Sequence, residues 1–340
     1  MKRELMFGGS LIFNGDNGCV FDKPGICTNR ILTQRNRLNR NNTTKKFYKI
    51  IRKEGDSYKN ELDNSAMFHK IPDYQDYFVL IDDVCEAETP PQGWEHCRLF
   101  RPGLQKVPYL QLKMNYAGEI LPYYIHHKER LYKNWLRIQI NVAEALKQLH
   151  IRGWVHGDLH YGNIIVDDLD KARIIDFGLS YNINRIRDSD INLDFLPEFN
   201  NYAPELDYVA GTSSGSDPLS VINKIYLKKK ILEKIDDIFP SEEGVVGDIQ
   251  NFARFHEPPI DVKRFINSYA KPSDIWTIGY DFFTIYMEMI SDNRMVASDF
   301  YKKNHRNQML LLKAMLQVDP RFRFNIDQVL TALYSMRIGI

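Results

Sequence analysis

The sequence predicts an α+β protein in two parts: a small sheet-rich segment to about residue 115 carrying one helix, then a larger, mainly helical segment. Two observations carry this. Up to residue 115, short β-like runs (Ser10–Phe13, Cys19–Phe21, Phe47–Ile51, Tyr77–Ile81 and Tyr109–Met114) alternate with turn signals, and helical periodicity appears only near Tyr58 to Ile71. From about Leu131 the period changes, with Leu136, Ile140, Ala143, Leu146 and Leu149 in a helical stripe and further helical patterns at 274–290 and 308–318.

Taken in order, the opening residues Met1 to Phe13 predict a first strand, because Glu4 and the Gly8-Gly9 pair interrupt any signal-peptide core. Between Thr28 and Lys46 an Asn/Arg-rich stretch has neither acidic residues nor periodicity and predicts a solvated loop. It lacks the interleaved aromatics that would stack nucleic-acid bases. The most apolar segment, Asp274 to Ile290, carries Asp274, Asp281 and Glu288, which are costly in lipid, so it reads as a buried helix. The region from Asp207 to Ala270 contains one amphipathic candidate, Ser220 to Phe239, whose lysine-rich face suits either solvent or a docking partner.

Composition narrows the function classes. A chain of 340 residues with 44% hydrophobic content can build its own cores, and a formal net charge of +1 gives no global field for nucleic acid or an anionic membrane. Neither partner is expected. Cys19, Cys27, Cys85 and Cys97 include no C-x-x-C pair, and so few cysteines in a chain of 340 residues suggest no disulfide framework, which fits a reducing compartment. A zinc site from Cys85, His96 and Cys97 would need adjacent ligands in a loop-like stretch and is set aside.

The chemistry concentrates in residues 155–180, where Asp158, Asn163 and Asp176 stand between short apolar runs in a strand-loop-strand pattern. Phosphoryl transfer explains that arrangement. ATP needs magnesium, which takes hard oxygen ligands such as Asn163 and Asp176, while a second carboxylate, Asp158, can orient an incoming hydroxyl and accept its proton. This segment, with His156 to Asn163 reading HGDLHYGN and Asp176-Phe177-Gly178 downstream, resembles the catalytic and magnesium loops of the eukaryotic-type protein kinase superfamily.

The resemblance extends over nearly the whole chain. Phe13 to Phe21 resembles the glycine-rich loop, with Gly15, Gly18 and Val20 at motif positions and Phe13 in place of the first glycine. Phe47 to Ile51 resembles the strand whose lysine, here Lys49, pairs with ATP phosphates, and Glu61 is its implied ion-pair partner. Lys45, Lys46 and Lys53 are alternatives for that lysine. Leu112 to Leu121 resembles the hinge, with Met114 as gatekeeper and Asn115 to Ala117 at the adenine edge. Ala203-Pro204-Glu205, the Asp274, Trp276 and Gly279 pattern, and Arg323 match the family's A-P-E, central-helix and late-arginine positions. The resemblance implies a single bilobal kinase domain over 1–340, with an N-lobe to about 115, a hinge near 114–118, a C-lobe from about 119 and an insertion near 207–270. ATP and Mg²⁺ are the implied cofactors, and serine or threonine hydroxyls of proteins the implied acceptors. The texture of GCVF, YKII, IPDYQDYF and Tyr116-Ala117-Gly118 further resembles kinases of large DNA viruses, implying host cytoplasm or a virion.

Three features depart from the pattern. Phe13 removes one loop glycine, Gly157 replaces the H-R-D arginine, and His160 stands where serine/threonine kinases carry lysine. HGDLH-x-GN also resembles antibiotic and choline kinases, and the altered positions leave a nucleotide-binding scaffold as a further alternative. Because arginine at 157 would be the main receptor for a phosphorylated activation loop, activity is predicted not to require phosphorylation between Asp176 and Glu205. Phosphatase treatment should leave turnover unchanged; a loss restored by rephosphorylation in that segment would contradict the prediction.

Overall fold

The computed structural model describes residues 11–14, 18–33, 45–54, 57–89, 94–100, 108–186 and 193–338. The chain divides into two compact units, Met1–Gly118 with Ile175–Leu179, and Glu119–Ile174 with Ser180–Ile340.

The first unit contains β1 (Leu11–Asn14), β2 (Cys19–Phe21), β3 (Ile26–Thr33), β4 (Lys46–Arg52), α1 (Ser57–Phe68), β5 (Ile81–Thr89) and β6 (Tyr109–Asn115). The strands form one antiparallel sheet in the order β1-β2-β4-β6-β5-β3. Period-two alternation gives the sheet two apolar faces. Ile50 packs with Cys19, Phe21, Cys97 and Leu99 on one side, while Ile51 packs with Ile81, Val84, Leu110 and Leu112 beside Leu62 of α1 on the other. Lys49, two residues before Ile51, shares the α1 face.

Three expectations are corrected in this unit. The stretch after Thr28 has the composition of a loop, yet Ile26–Thr33 is a strand, and 34–44 lie outside the described residues. β3 is an edge strand with an exposed start, Ile26 to Thr28, so the apolar alternation that marks half-buried strands is missing. The run Tyr77–Ile81 is not a strand: Phe78, Val79 and Leu80 are a buried approach, and β5 begins at Ile81. A continuous apolar run shows burial without specifying conformation. The cysteines are paired, Cys19 with Cys97 and Cys27 with Cys85, at Cα separations of 6.0 and 5.6 Å. Antiparallel pairing of β3 with β5 brings Cys27 to Cys85 across a separation of 58 residues, which spacing along the chain conceals. Cys85 and Cys97 thus belong to different pairs.

The second unit contains β7 (Glu119–Ile120), α2 (Leu121–Tyr124), α3 (Lys128–His150), β8 (Trp154–Val155), β9 (Ile164–Val166), β10 (Ala172–Ile174) and β11 (Tyr181–Asn182). β9 lies between β10 and β7, and β11 pairs with β8. The later helices are α4 (Pro204–Ser213), α5 (Pro218–Lys228), α6 (Lys230–Ile238), α7 (Gly244–Phe255), α8 (Val262–Ile290), α9 (Asn293–Ala297), α10 (Asp299–Met315) and α11 (Ile326–Ile338). α8 begins earlier than the predicted 274–290 and continues through Pro272, burying Ile275, Trp276, Ile278, Phe282 and Tyr286. The amphipathic candidate over 220–239 is not one helix but two, broken at Lys229. No helix among the described residues is long and apolar enough to cross a membrane.

Glu205 and Arg323 tie the start of α4 to the chain before α11. The guanidinium meets the carboxylate at two points, 2.6 and 3.0 Å, with both side chains fully buried. Arg323 also donates to the carbonyls of Pro272 and Gln317, and Ser273 Oγ donates to Glu205. Removing one partner strands the other charge in the interior. Arg323→Ala is therefore predicted to lower unfolding free energy by about 3–5 kcal/mol in denaturant titration. A loss below about 1 kcal/mol, the level of an exposed pair, would contradict it.

Candidate functional site

In the first unit the site is built around a buried cation. Lys49 sits near the middle of β4, opposite Val20 of β2 and Leu112 of β6, so its stem emerges from the centre of the sheet. Its ammonium lies 2.8 Å from Glu61 Oε1 on α1 and 2.9 Å from Asp176 Oδ2. Burial works to lower the Lys49 pKa, but the carboxylates of Asp176 and Glu61 outweigh it and hold the ammonium above its ordinary range. Glu61 is pushed up by burial and by Asp176, with Lys49 opposing. Of the lysines considered for this role, Lys46 pairs with Asp82 and Lys53 with Glu86, at the ends of the strand.

Gly18 is explained by packing. A Cβ there would stand 3.0 Å from Ile51 Cγ2 and 3.1 Å from both the Ile50 carbonyl oxygen and Lys49 Cε, so a side chain just before β2 would crowd the lysine stem and push its neighbours back by a few tenths of an ångström. Gly15 lies outside the described residues. Phe13 pairs with Val20 in the β1–β2 ladder. Met114, half-buried, and Asn115, exposed, end β6, and Ala117 follows in irregular chain before the second unit begins. The Asn115 carboxamide oxygen accepts from Lys46 Nζ.

Asp176 adopts φ 62°, a left-handed conformation costly for a residue with a side chain. Its neighbours hold it there. Phe177 packs edge-on against Phe68 and Phe78, at centroid distances of 4.8 and 5.3 Å, and its carbonyl accepts a 2.8 Å hydrogen bond from Asn64 Nδ2. Sequence reasoning misses Asn64. Its spacing of three residues from Glu61, which places both on one helix face, is the signal that could have found it.

In the second unit the loop between β8 and β9 carries Asp158, His160 and Asn163. Asp274 of α8 shapes its first half, accepting from the backbone N–H groups of His156 at 2.9 Å and Gly157 at 3.1 Å, and from His150 Nε2 at 3.0 Å. Gly157 has φ 79°, where glycine carries no side-chain penalty. Asp281, two turns along α8, accepts from Tyr161 N–H in the second half of the loop. Burial pushes the Asp281 carboxyl well up, with that backbone donor opposing. Neither carboxylate's task is visible in periodicity, which marks α8 only as a buried helix.

Within the loop, Asn163 Nδ2 donates to the Asp158 carbonyl at 2.8 Å. That bond uses the donor end of the amide, so the carbonyl end, Oδ1, is the one a hard cation would take. His160 Nδ1 accepts from Gly162 N–H at 3.0 Å, which in the neutral ring places the proton on Nε2, 3.9 Å from Asp158 Oδ2. The donors Asn163 Oδ1 and the Asp176 carboxylate are hard oxygens of the kind magnesium prefers. Among the described residues no trio of His, Cys, Asp or Glu forms a metal cage. Magnesium bound with phosphate needs only one or two protein carboxylates, and each of these oxygens, taken by itself, is of the chemical kind it accepts.

Known proteins resemble this chain in sequence. The family described as protein tyrosine and serine/threonine kinase matches residues 104–220, a span that includes Asp158, Asn163, Asp176 and Glu205. The maternal embryonic leucine zipper kinase of Xenopus tropicalis is 25% identical over 282 residues, covering 76% of this chain and 34% of that protein. A probable LIM domain-containing serine/threonine-protein kinase of Dictyostelium discoideum is 36% identical over 66 residues, 19% of this chain and 7% of that one. A leaf rust disease-resistance locus receptor-like protein kinase of Arabidopsis thaliana is 47% identical over 45 residues, 13% of this chain and 7% of its own length. The chain thus spans about a third or less of these relatives. Family match and relatives together support a place for this chain in the eukaryotic-type protein kinase superfamily.

Proposed function

We propose that the protein is a protein kinase that transfers the γ-phosphoryl group of Mg-ATP to serine or threonine hydroxyls of protein acceptors. The observation that carries this is the buried Lys49, held by Glu61 and by Asp176 in a left-handed conformation. A structural ion pair would need one carboxylate; a second, next to a cation at the centre of a sheet, suits a cluster that must also receive a polyanion and its metal.

In this reading Lys49 orients the α- and β-phosphates, and Glu61 keeps the ammonium in place when phosphate competes for it. Gly18 and Val20 cover the nucleotide with Gly15, and Met114, Asn115 and Ala117 meet the adenine. Asn163 Oδ1 and the Asp176 carboxylate would hold Mg²⁺, which when bound offsets phosphate charge and polarises the transferring group. Asp158 orients the acceptor hydroxyl and takes its proton. His160, with Nε2 turned toward Asp158, supplies a donor where the family's lysine supplies a cation. Serine/threonine specificity is supported by the printed name of the Dictyostelium relative, and the likeness to kinases of large DNA viruses rests on sequence texture alone.

The test is transfer of labelled γ-phosphate from Mg-ATP to generic protein substrates and, in parallel, to aminoglycoside and choline acceptors, with Asp176→Ala as control. The expected result is label on protein Ser or Thr that disappears in the control. Label only on a small acceptor would replace this reading with a small-molecule kinase, and nucleotide binding without transfer would indicate a scaffold. Asp158→Asn is predicted to lower kcat by roughly 10²–10⁴-fold while ATP affinity stays within about twofold. Equal losses in both would show that Asp158 does not serve the acceptor.

A further inference from the structure

Lys229 stands at the break between α5 and α6, and its side chain is fully buried. The sequence around it, with Lys224, Lys228, Lys230 and Lys234, reads as one solvated basic face, and those four lysines are exposed. Lys229 differs because the chain leaves helical geometry there, at φ −83° and ψ 86°, and turns the residue inward.

What it meets inside is backbone. The Lys229 ammonium donates to the carbonyl oxygens of Phe199 at 2.6 Å and Tyr202 at 2.8 Å, and lies 2.9 Å from Asp207 Oδ2. The other carboxylate oxygen of Asp207 accepts from Leu196 N–H at 2.8 Å. The rest of this short segment is captured in the same way. Asn200 Oδ1 accepts from Ile231 N–H at the start of α6, the Asn200 carbonyl accepts from Trp276 Nε1, and the Asn201 carbonyl accepts from Thr277 Oγ1. Residues 196–202, irregular chain immediately before α4, are thus fixed by polar contacts from α4, α6, α8 and Lys229. A buried ammonium is expensive, and helix stability alone gives no reason to place one here. Its hydrogen bonds are spent on the shape of 196–202.

We propose that Lys229 is a positioning residue which, with Asp207, clamps residues 196–202 into the conformation that receives the protein acceptor. This rests on the kinase reading and extends it by taking the chain leading to Ala203-Pro204-Glu205 as the segment that contacts the acceptor. The region from Asp207 to Ala270 is then an internal brace for that segment. Its contribution comes through the one lysine facing inward, and the exposed basic face is not required.

The experiment compares wild type, Lys229→Met, and the double variant Lys229→Met with Asp207→Leu, which removes both buried charges and so guards against simple misfolding. Each is read by amide hydrogen exchange over 196–202, by ATP affinity, and by KM and kcat for a protein acceptor. Both variants should exchange at least tenfold faster in 196–202 and show acceptor KM raised tenfold or more, with ATP affinity within twofold of wild type. A purely structural lysine would leave the acceptor KM of the folded double variant unchanged, and that result, or unaltered exchange at 196–202, overturns the proposal. If wild type phosphorylates no protein, the kinase reading itself fails, and exchange still decides whether the clamp exists.

Discussion

A primary amine buried at the centre of a sheet is the constraint on which the first unit depends. Without compensation Lys49 would lose its proton or unfold the strand around it; with Glu61 and Asp176 beside it, it stays charged. Each requirement of that arrangement reaches into a different element. The chain entering β2 must approach closely enough to cover the lysine stem, and Gly18 keeps that approach free of a crowded Cβ. α1 must present Glu61 toward β4, and Asn64 on the same helix then catches the Phe177 carbonyl. Asp176 must accept an unfavourable backbone conformation, and the Phe68, Phe78 and Phe177 cluster holds it there.

The second unit solves a related problem with the signs reversed. Its catalytic-loop candidates sit on irregular chain, whose backbone N–H groups need partners if the loop is to keep one shape. Asp274 and Asp281 of α8 provide them, and both carboxylates are buried to do so. The same device recurs beside α4, where Asp207 and Lys229 capture an N–H and two carbonyls. Among the described residues of the second unit, the buried charges of Asp207, Lys229, Asp274 and Asp281 all hold irregular chain in place. That explains why so many stand in segments that hydropathy describes as core.

The residues of the candidate site are easier to single out in the sequence than the shape of the chain around them. Asp158, Asn163 and Asp176 stand out because hard-oxygen donors clustered between short strands have few structural uses, and Lys49 and Glu61 emerge once a phosphate-binding lysine is sought. The β4 and β6 strands and α3 announce themselves by period. β3 does not, because an exposed edge strand need not alternate, and the apolar run Tyr77–Ile81 misleads because burial alone does not fix conformation. Cysteine spacing cannot reveal pairs joined across a sheet. Lys229 is hidden among exposed lysines of identical type, and only the break between α5 and α6 distinguishes it.

The central claim is that the Lys49, Glu61 and Asp176 cluster receives a magnesium-nucleotide complex. Calorimetric titration of ATP into the protein, with and without Mg²⁺, tests this without any need for an acceptor. The account predicts that Mg²⁺ tightens ATP binding to wild type at least tenfold, and that Asp176→Asn abolishes most of this magnesium dependence while leaving the fold intact. Equal ATP affinity with and without magnesium in wild type, or no binding under either condition, would contradict it.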